Sequence, residues 1–315
     1  MLKPVQSVLE LIGGTPMVKL NRISKDIPSE IWAKLEFLNP SGSVKDRIAL
    51  TMIEEAEKRG DIKKGGIVIE PTTGNTGIAL ALVCALKGYK MIAVMPEVVS
   101  KERKMIIELL GGQADIVKCC DKEKGVTKED MEKVVARAKE LLKTYPNSFM
   151  PNQFDNEDNP RAHDETTASE IIAQTGGRFN AFVAACGTGG TFSGIARVLK
   201  ERLPKIKNVV VEPSTSAVIS GCEPGHHKIQ GIGEGFIPKV MDVSLVDEIA
   251  KVSSEEAIET AKRLWKEEGI MGGFSSGANV FASLKIGEMM NKGDVIITLI
   301  PDSGMRYLSM PEFQC

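Results

Sequence analysis

Gly187-Thr188-Gly189-Gly190-Thr191 places three glycines and two threonines in five residues, just ahead of a helical pattern opening at Phe192. Backbone amides at a helix start attract anions, and glycines let the anion approach closely. The threonine hydroxyls add donors, so the loop suits a phosphate. The spacing is not that of a nucleotide P-loop, because no Gly-Lys-Ser/Thr follows, and Phe192 stands where a dinucleotide fingerprint has its last glycine. A tight strand–helix turn also needs glycines, so the loop alone names no ligand. A second segment, Asn39 to Arg47, runs from a Pro/Ser/Gly loop into a helix. Ser43 and Asp46 have capping-box spacing, which puts Lys45 in the first helical turn. There the helix dipole disfavours a cation by about 0.3–1 kcal/mol. At about 1.4 kcal/mol per pKa unit, this cannot turn an amine of pKa ~10.4 into a neutral nucleophile. Condensation with an aldehyde would, because the nitrogen becomes an imine. A surface lysine on an amphipathic helix is the plain alternative. A lysine so placed, with a phosphate cup lacking P-loop spacing, points to pyridoxal 5′-phosphate (PLP).

Strand-like and helix-like segments alternate around these loops. Strand patterns cover Ile31 to Leu35, Ile67 to Ile69, Met91 to Met95, Asp115 to Lys118, Ser148 to Met150, Ala181 to Ala185, Val209 to Val211 and Asp294 to Ile300. Helical patterns cover Val44 to Arg59, Ile78 to Lys87, Lys101 to Leu110, Lys128 to Lys143, Arg161 to Gln174, Phe192 to Glu201 and Ser254 to Glu268, with another from Gly277. This order predicts an α/β fold with largely parallel sheets. Ligands then collect where loops leave the C-terminal ends of strands, which is where the Gly/Ser/Thr-rich loops lie. The polar stretch Asn152 to Pro160 interrupts the alternation and reads as a domain crossover. At 315 residues the chain suits two domains.

A net charge of −2, with acids and bases interleaved, gives no reason to expect nucleic acid or an anionic membrane as a partner. The longest apolar run, Ile78 to Leu86, falls short of the ~20 residues a membrane span needs. The N-terminus lacks a leader-peptide pattern, so a cytoplasmic protein is expected. Cys84, Cys119, Cys120, Cys186, Cys222 and Cys315 show no C-x-x-C spacing and read as reduced thiols. His226 and His227 have no second ligand pair following them, so no metal site is expected.

Taken together, the motifs resemble the family of cysteine synthase (O-acetylserine sulfhydrylase) and the cystathionine β-synthase catalytic core. These are PLP enzymes of fold type II, the tryptophan-synthase-β type. The resemblance runs from Ile12-Gly13-Gly14-Thr15-Pro16 through the Lys45 segment, Glu70-Pro71-Thr72-Thr73-Gly74-Asn75-Thr76-Gly77 and the Gly187–Thr191 cup. It continues through His227-Lys228-Ile229-Gln230-Gly231-Ile232-Gly233 and Ser275-Ser276-Gly277 to Arg306-Tyr307-Leu308-Ser309. It implies a large PLP-binding domain, 1–46 with 153–315, and a smaller mobile domain, 47–152, that closes over substrate. It implies Lys45 as the aldimine lysine and proton shuttle, Gly187, Thr188, Gly189, Gly190 and Thr191 as the phosphate site, and Asn75 at the cofactor's 3′ oxygen. Thr72, Thr73, Gly74 and Thr76, with Gln153 and Gly231, are implied at the substrate. A loop rich in hydroxyl and amide donors ahead of a helix suits a carboxylate in its own right. Ser275 is implied at the pyridine nitrogen; without the resemblance, Ser275-Ser276-Gly277 reads as a helix N-cap. A serine there, unlike an aspartate, does not keep the ring protonated, which favours prompt loss of a β-substituent.

The implied reaction is β-replacement on a small amino acid through an aminoacrylate: cysteine from O-acetylserine and sulfide. A cystathionine β-synthase-like, lanthionine-forming or cysteine-degrading, sulfide-releasing enzyme is the alternative within the same chemistry. A catalytically silent binding partner is the alternative from another class. A homodimer is implied, with serine acetyltransferase as a possible associate. Three positions depart from the pattern. Thr73 stands where the family has serine, and Glu234 where it has a small or aromatic residue. Glu234 is either a solvent-facing loop residue or a carboxylate at the cleft mouth, acting as general base on an incoming thiol or water. Met305 replaces an acid, and nothing in the sequence explains it.

Overall fold

A computed structural model describes residues 4–120 and 126–313; residues 1–3 and Cys315, touched by the leader-peptide and thiol readings, lie outside them. Strands β1 (Met17–Leu20), β2 (Glu30–Lys34), β7 (Ala181–Ala185), β8 (Lys207–Pro213), β9 (Glu248–Val252) and β10 (Val295–Leu299) form a six-stranded sheet in the order β1-β2-β10-β7-β8-β9. Strands β3 (Ile67–Pro71), β4 (Lys90–Pro96), β5 (Gln113–Val117) and β6 (Ser148–Phe149) form a second sheet in the order β5-β4-β3-β6. Among these ten strands only β1 and β2 pair antiparallel. Beyond their first residues β4 and β8 are buried throughout, as parallel strands covered on both faces must be.

The α/β architecture with largely parallel sheets therefore stands as the alternation predicts. The two strands that the sequence pattern does not reveal, β1 and β9, are the two edges of the larger sheet. Half-buried edge strands need no apolar run. The predicted helix Arg161 to Gln174 is broken into α5 (Asp158–Ala162), a π turn (His163–Thr167) and α6 (Ala168–Thr175). Among the described residues no helix is long and apolar enough to cross a membrane.

Helix α1 (Lys45–Arg59) joins the two sheets. Ala49, Ile53 and Ala56 pack in the core of the smaller sheet with Ile78 and Met91. Its first turn belongs to the larger sheet, where the Val44 amide donates to the Pro301 carbonyl at 2.8 Å. The capping box expected from Ser43 and Asp46 does not form. Val44 is the N-cap, in helical conformation and without a side-chain cap. Asp46 instead turns back into the loop and accepts from the Ser41 amide at 2.6 Å and from the Ser41 hydroxyl. A short acidic side chain with local donors on offer takes them in preference to the cap.

Two residues past Lys45, Arg47 is buried in an ion cluster. It donates to Glu36 through Nε and Nη2, each at 2.8 Å, and to Glu170 through Nη1 and Nη2 at 2.7 and 2.8 Å. Lys34, fully buried on β2, reaches Glu170 at 2.8 Å. Burial opposes ionisation of Glu170, but Arg47 and Lys34 outweigh it and bring the carboxyl down to about 2. Its contribution to stability is therefore complete above the ordinary carboxyl range. It is lost as pH falls from there toward about 2. Arg47→Leu would leave two carboxylates without their main partner, and is expected to cost about 3–5 kcal/mol. The urea midpoint measures this; a loss under ~1 kcal/mol would show the cluster to be energetically idle.

Candidate active site

One cleft lies across the C-terminal ends of β3, β7 and β10. Lys45 lines it, with Gly187, Thr188, Gly189 and Thr191 of the predicted cup. The cup leaves β7 and enters α7 (Gly190–Arg202) earlier than predicted, so Gly190 and Thr191 form the first helical turn. Gly189 adopts φ +87°, a left-handed conformation open to glycine, which carries the chain round the cup into the helix. Ser275 faces the same cleft. It is not an N-cap, because α9 (Phe274–Glu288) starts one residue earlier with Gly273 at the cap. One turn on, Asn279 accepts from the Ala185 amide at 2.7 Å and donates to the Leu299 carbonyl at 2.9 Å. This fixes the start of α9, and so Ser275, against β7 and β10.

The smaller sheet contributes the loop after β3. Thr72, Thr73, Asn75 and Thr76 line the cleft, while Gly74 lies behind the wall as N-cap of α2 (Asn75–Lys87). Gly74 has φ +140°, and a Cβ there would stand 2.3 Å from Arg103 Cδ. Arg103, buried on α3 (Lys101–Leu109), donates to the Thr73 carbonyl at 3.0 Å, to Gln230 at 2.6 Å and to the Tyr307 hydroxyl at 2.7 Å. The Asn75 amide donates to Asp302 at 2.7 Å and accepts from Arg306 at 2.5 Å. Gln153 joins this loop: it accepts from the Thr76 hydroxyl at 2.5 Å, and its own amide is held by buried Glu70 at 2.9 Å. The structure thus brings Gln153 into the cleft with the loop. Arg103 and Asp302 are missing from the sequence reading, and Glu70 enters it only as part of a motif with no role, since a single charged residue in a helix or at a strand end carries no signal of its contacts.

Gly231 and Glu234 line the wall formed by the loop after His227. The solvent-facing alternative for Glu234 is set aside, because its side chain is half-buried beside Lys45. Burial drives the Glu234 carboxyl up to about 7, against the pull of Lys45 and Arg103. Burial likewise lowers Lys45, with Glu234, Asp302 and Cys186 opposing. Desolvation, more than the helix dipole, is what weakens this lysine's hold on its proton. The Cys186 thiol is pushed up to about 12 by burial, so it offers no thiolate here.

These residues fit PLP. An amine without an ion pair to any described residue, a cup of amides and hydroxyls at a helix start, a side-chain amide and a serine hydroxyl share one cleft.

Residues 8–302 match the family model described as "Pyridoxal-phosphate dependent enzyme". The chain is 46% identical over 310 residues to a cysteine synthase of Staphylococcus aureus, covering 98% of this chain and 97% of that protein. It is similar to the crystal structure of a hydrogen sulfide-producing enzyme from Fusobacterium nucleatum, with TM-score 0.91, 45% identity, and coverage of 97% and 100% of the two chains. It is also similar to that of the O-acetylserine dependent cystathionine β-synthase from Helicobacter pylori, with TM-score 0.92, 40% identity, and coverage of 99% and 100%. The chain belongs to the pyridoxal-phosphate dependent enzyme family, and within it is a cysteine synthase-like enzyme.

Proposed function

We propose that the chain makes cysteine by replacing the acetoxy group of O-acetylserine with sulfide. The observation that carries this is the meeting of Lys45, the Gly187–Thr191 cup and the Thr72–Thr76 loop in one cleft, in a chain this similar to a cysteine synthase. PLP, when bound, draws electrons from the substrate's α-carbon, which acidifies the α-proton and lets the β-substituent leave. Lys45 Nζ would hold the cofactor and would serve as base for the substrate's α-proton; its lowered pKa favours the neutral amine that this needs. The cup would hold the phosphate, Asn75 the 3′ oxygen and Ser275 the ring nitrogen. The Thr72–Thr76 loop with Gln153 grips the substrate carboxylate, Gly231 lining the opposite wall. Residues 47–152 close over the substrate as a body against 1–46 and 153–315. A homodimeric working unit, and serine acetyltransferase as an associate, follow from the family reading alone.

A second reading rests on Glu234. A carboxyl near pH 7 at the cleft wall is poised to deprotonate an incoming amino thiol or water. That would favour condensation with a second amino acid, or release of sulfide from cysteine.

Lys45→Ala is expected to lose the yellow absorbance of the bound cofactor and about 10²–10⁴-fold in kcat. Borohydride trapping and peptide mapping check the attachment; an unlabelled Lys45 overturns the mechanism. Rates with O-acetylserine, serine and cysteine, each offered with sulfide and with homocysteine, decide between the two readings. If Glu234 is the base, thiol addition rises with pH through about 7, as the carboxylate forms, and Glu234→Gln removes that limb. Product ratios unchanged in Glu234→Ala would dispose of the second reading.

A further inference from the structure

The hydroxyls of the cup are held from behind by residues that the reaction above does not use. Asn159 Nδ2 donates to Thr188 Oγ1 at 3.1 Å and to the Gln153 carbonyl at 2.7 Å. His163 Nε2 lies 3.1 Å from Thr191 Oγ1, and its Nδ1 lies 2.8 Å from Thr167 Oγ1. Asn159, His163 and Thr167 are fully buried. His163 and Thr167 bound the π turn, a rare form frequent at functional sites. The segment presses on α7 so closely that a Cβ at Gly194 would stand 2.3 Å from the Pro160 carbonyl oxygen and 2.8 Å from His163 Cβ.

The hydrogens can be placed by elimination. A carbonyl only accepts, so Asn159 must present its NH₂ to Gln153, and the same group reaches Thr188. Burial, with Arg47 and Lys45 nearby, holds His163 well below the usual histidine range, so the ring carries a single N–H. With that hydrogen on Nδ1, Thr191 would have to spend its own hydrogen on Nε2, and the buried Thr167 hydroxyl would have no acceptor. With it on Nε2, the ring donates to Thr191, the buried Thr167 hydroxyl donates to Nδ1, and the one hydrogen left over is that of Thr191, which lines the cleft. Leaving a buried hydroxyl unpaired is the costlier arrangement.

We propose that His163 and Asn159 are positioning residues of the phosphate cup. By donating to the oxygens of Thr191 and Thr188, they leave both hydroxyl hydrogens free to point at the bound phosphate. Thr167 locks the imidazole in the tautomer this requires. The proposal rests on the PLP reading above and extends it to residues outside the cleft wall.

The test titrates apoenzyme with PLP and with pyridoxal, which lacks the phosphate, following the yellow absorbance and, for PLP, the phosphorus resonance. His163→Leu is expected to weaken PLP about 10-fold or more and to shift the phosphorus resonance, with pyridoxal affinity within about twofold of wild type. In a Thr191→Val background the same substitution should add less than about twofold, because its effect passes through that hydroxyl. Equal weakening of PLP and pyridoxal, or an undiminished loss without the Thr191 hydroxyl, would overturn the proposal and leave the cofactor reading intact. Wild-type apoenzyme that takes up neither compound would sink both. Should His163→Leu fail to fold, the near-isosteric Thr167→Val is expected to weaken PLP about threefold and leave pyridoxal unchanged, because it removes the tautomer lock; unchanged PLP affinity there counts against the proposal.

Discussion

Everything at the site depends on holding the first turn of α1 in a place where a lysine would not choose to be. Lys45 sits beside a buried wall, without an ion pair to any described residue, and nothing in its own chemistry keeps it there. The restraint comes from Arg47, whose planar guanidinium engages two carboxylates at once and so fixes orientation as well as position. Glu36 follows β2, and Glu170 lies on α6, so the turn is tied to two segments far apart in the chain. Buried ion clusters add little net stability compared with apolar packing, but they tolerate few alternative arrangements. That trade suits an attachment point better than a core.

Desolvation then accounts for most of the site's chemistry. The same low-polarity surroundings that lower Lys45 raise Glu234, so both groups move toward neutrality from opposite sides. The two loops proposed to bind anions avoid paired charges. The Gly187–Thr191 cup and the Thr72–Thr76 loop both precede helix starts and rely on amides and hydroxyls. Such donors need aiming, since a hydroxyl can turn away from its target. The residues proposed to aim them, Gln153, Asn159 and His163, lie close together in the chain and reach the Thr72–Thr76 loop and the cup alike.

Much of this was legible in the residues. Central strands such as β4 and β8 show as apolar runs because both faces are covered, whereas the edges β1 and β9 do not. The cup, Lys45 and the Thr72–Thr76 loop announce themselves by unusual composition over a few residues. Capping was misread at two helices, α1 and α9. Local spacing proposes a cap, but Asp46 found donors in the preceding loop, and at α9 Gly273, not Ser275 or Ser276, took the cap position. Arg103 and His163 were illegible, because a single charged or aromatic residue within a helical pattern reads as surface or core filler until its neighbours are known.

The sequence by itself determined the strand–helix alternation, the parallel α/β class, and the chemical character of three loops, since each is a property of neighbouring residues. Only the tertiary structure decided which loops meet, that Glu234 lines the same cleft as the lysine, and that a histidine stands behind the cup. Those facts depend on contacts between residues more than twenty positions apart, and the chain's local preferences carry no record of them.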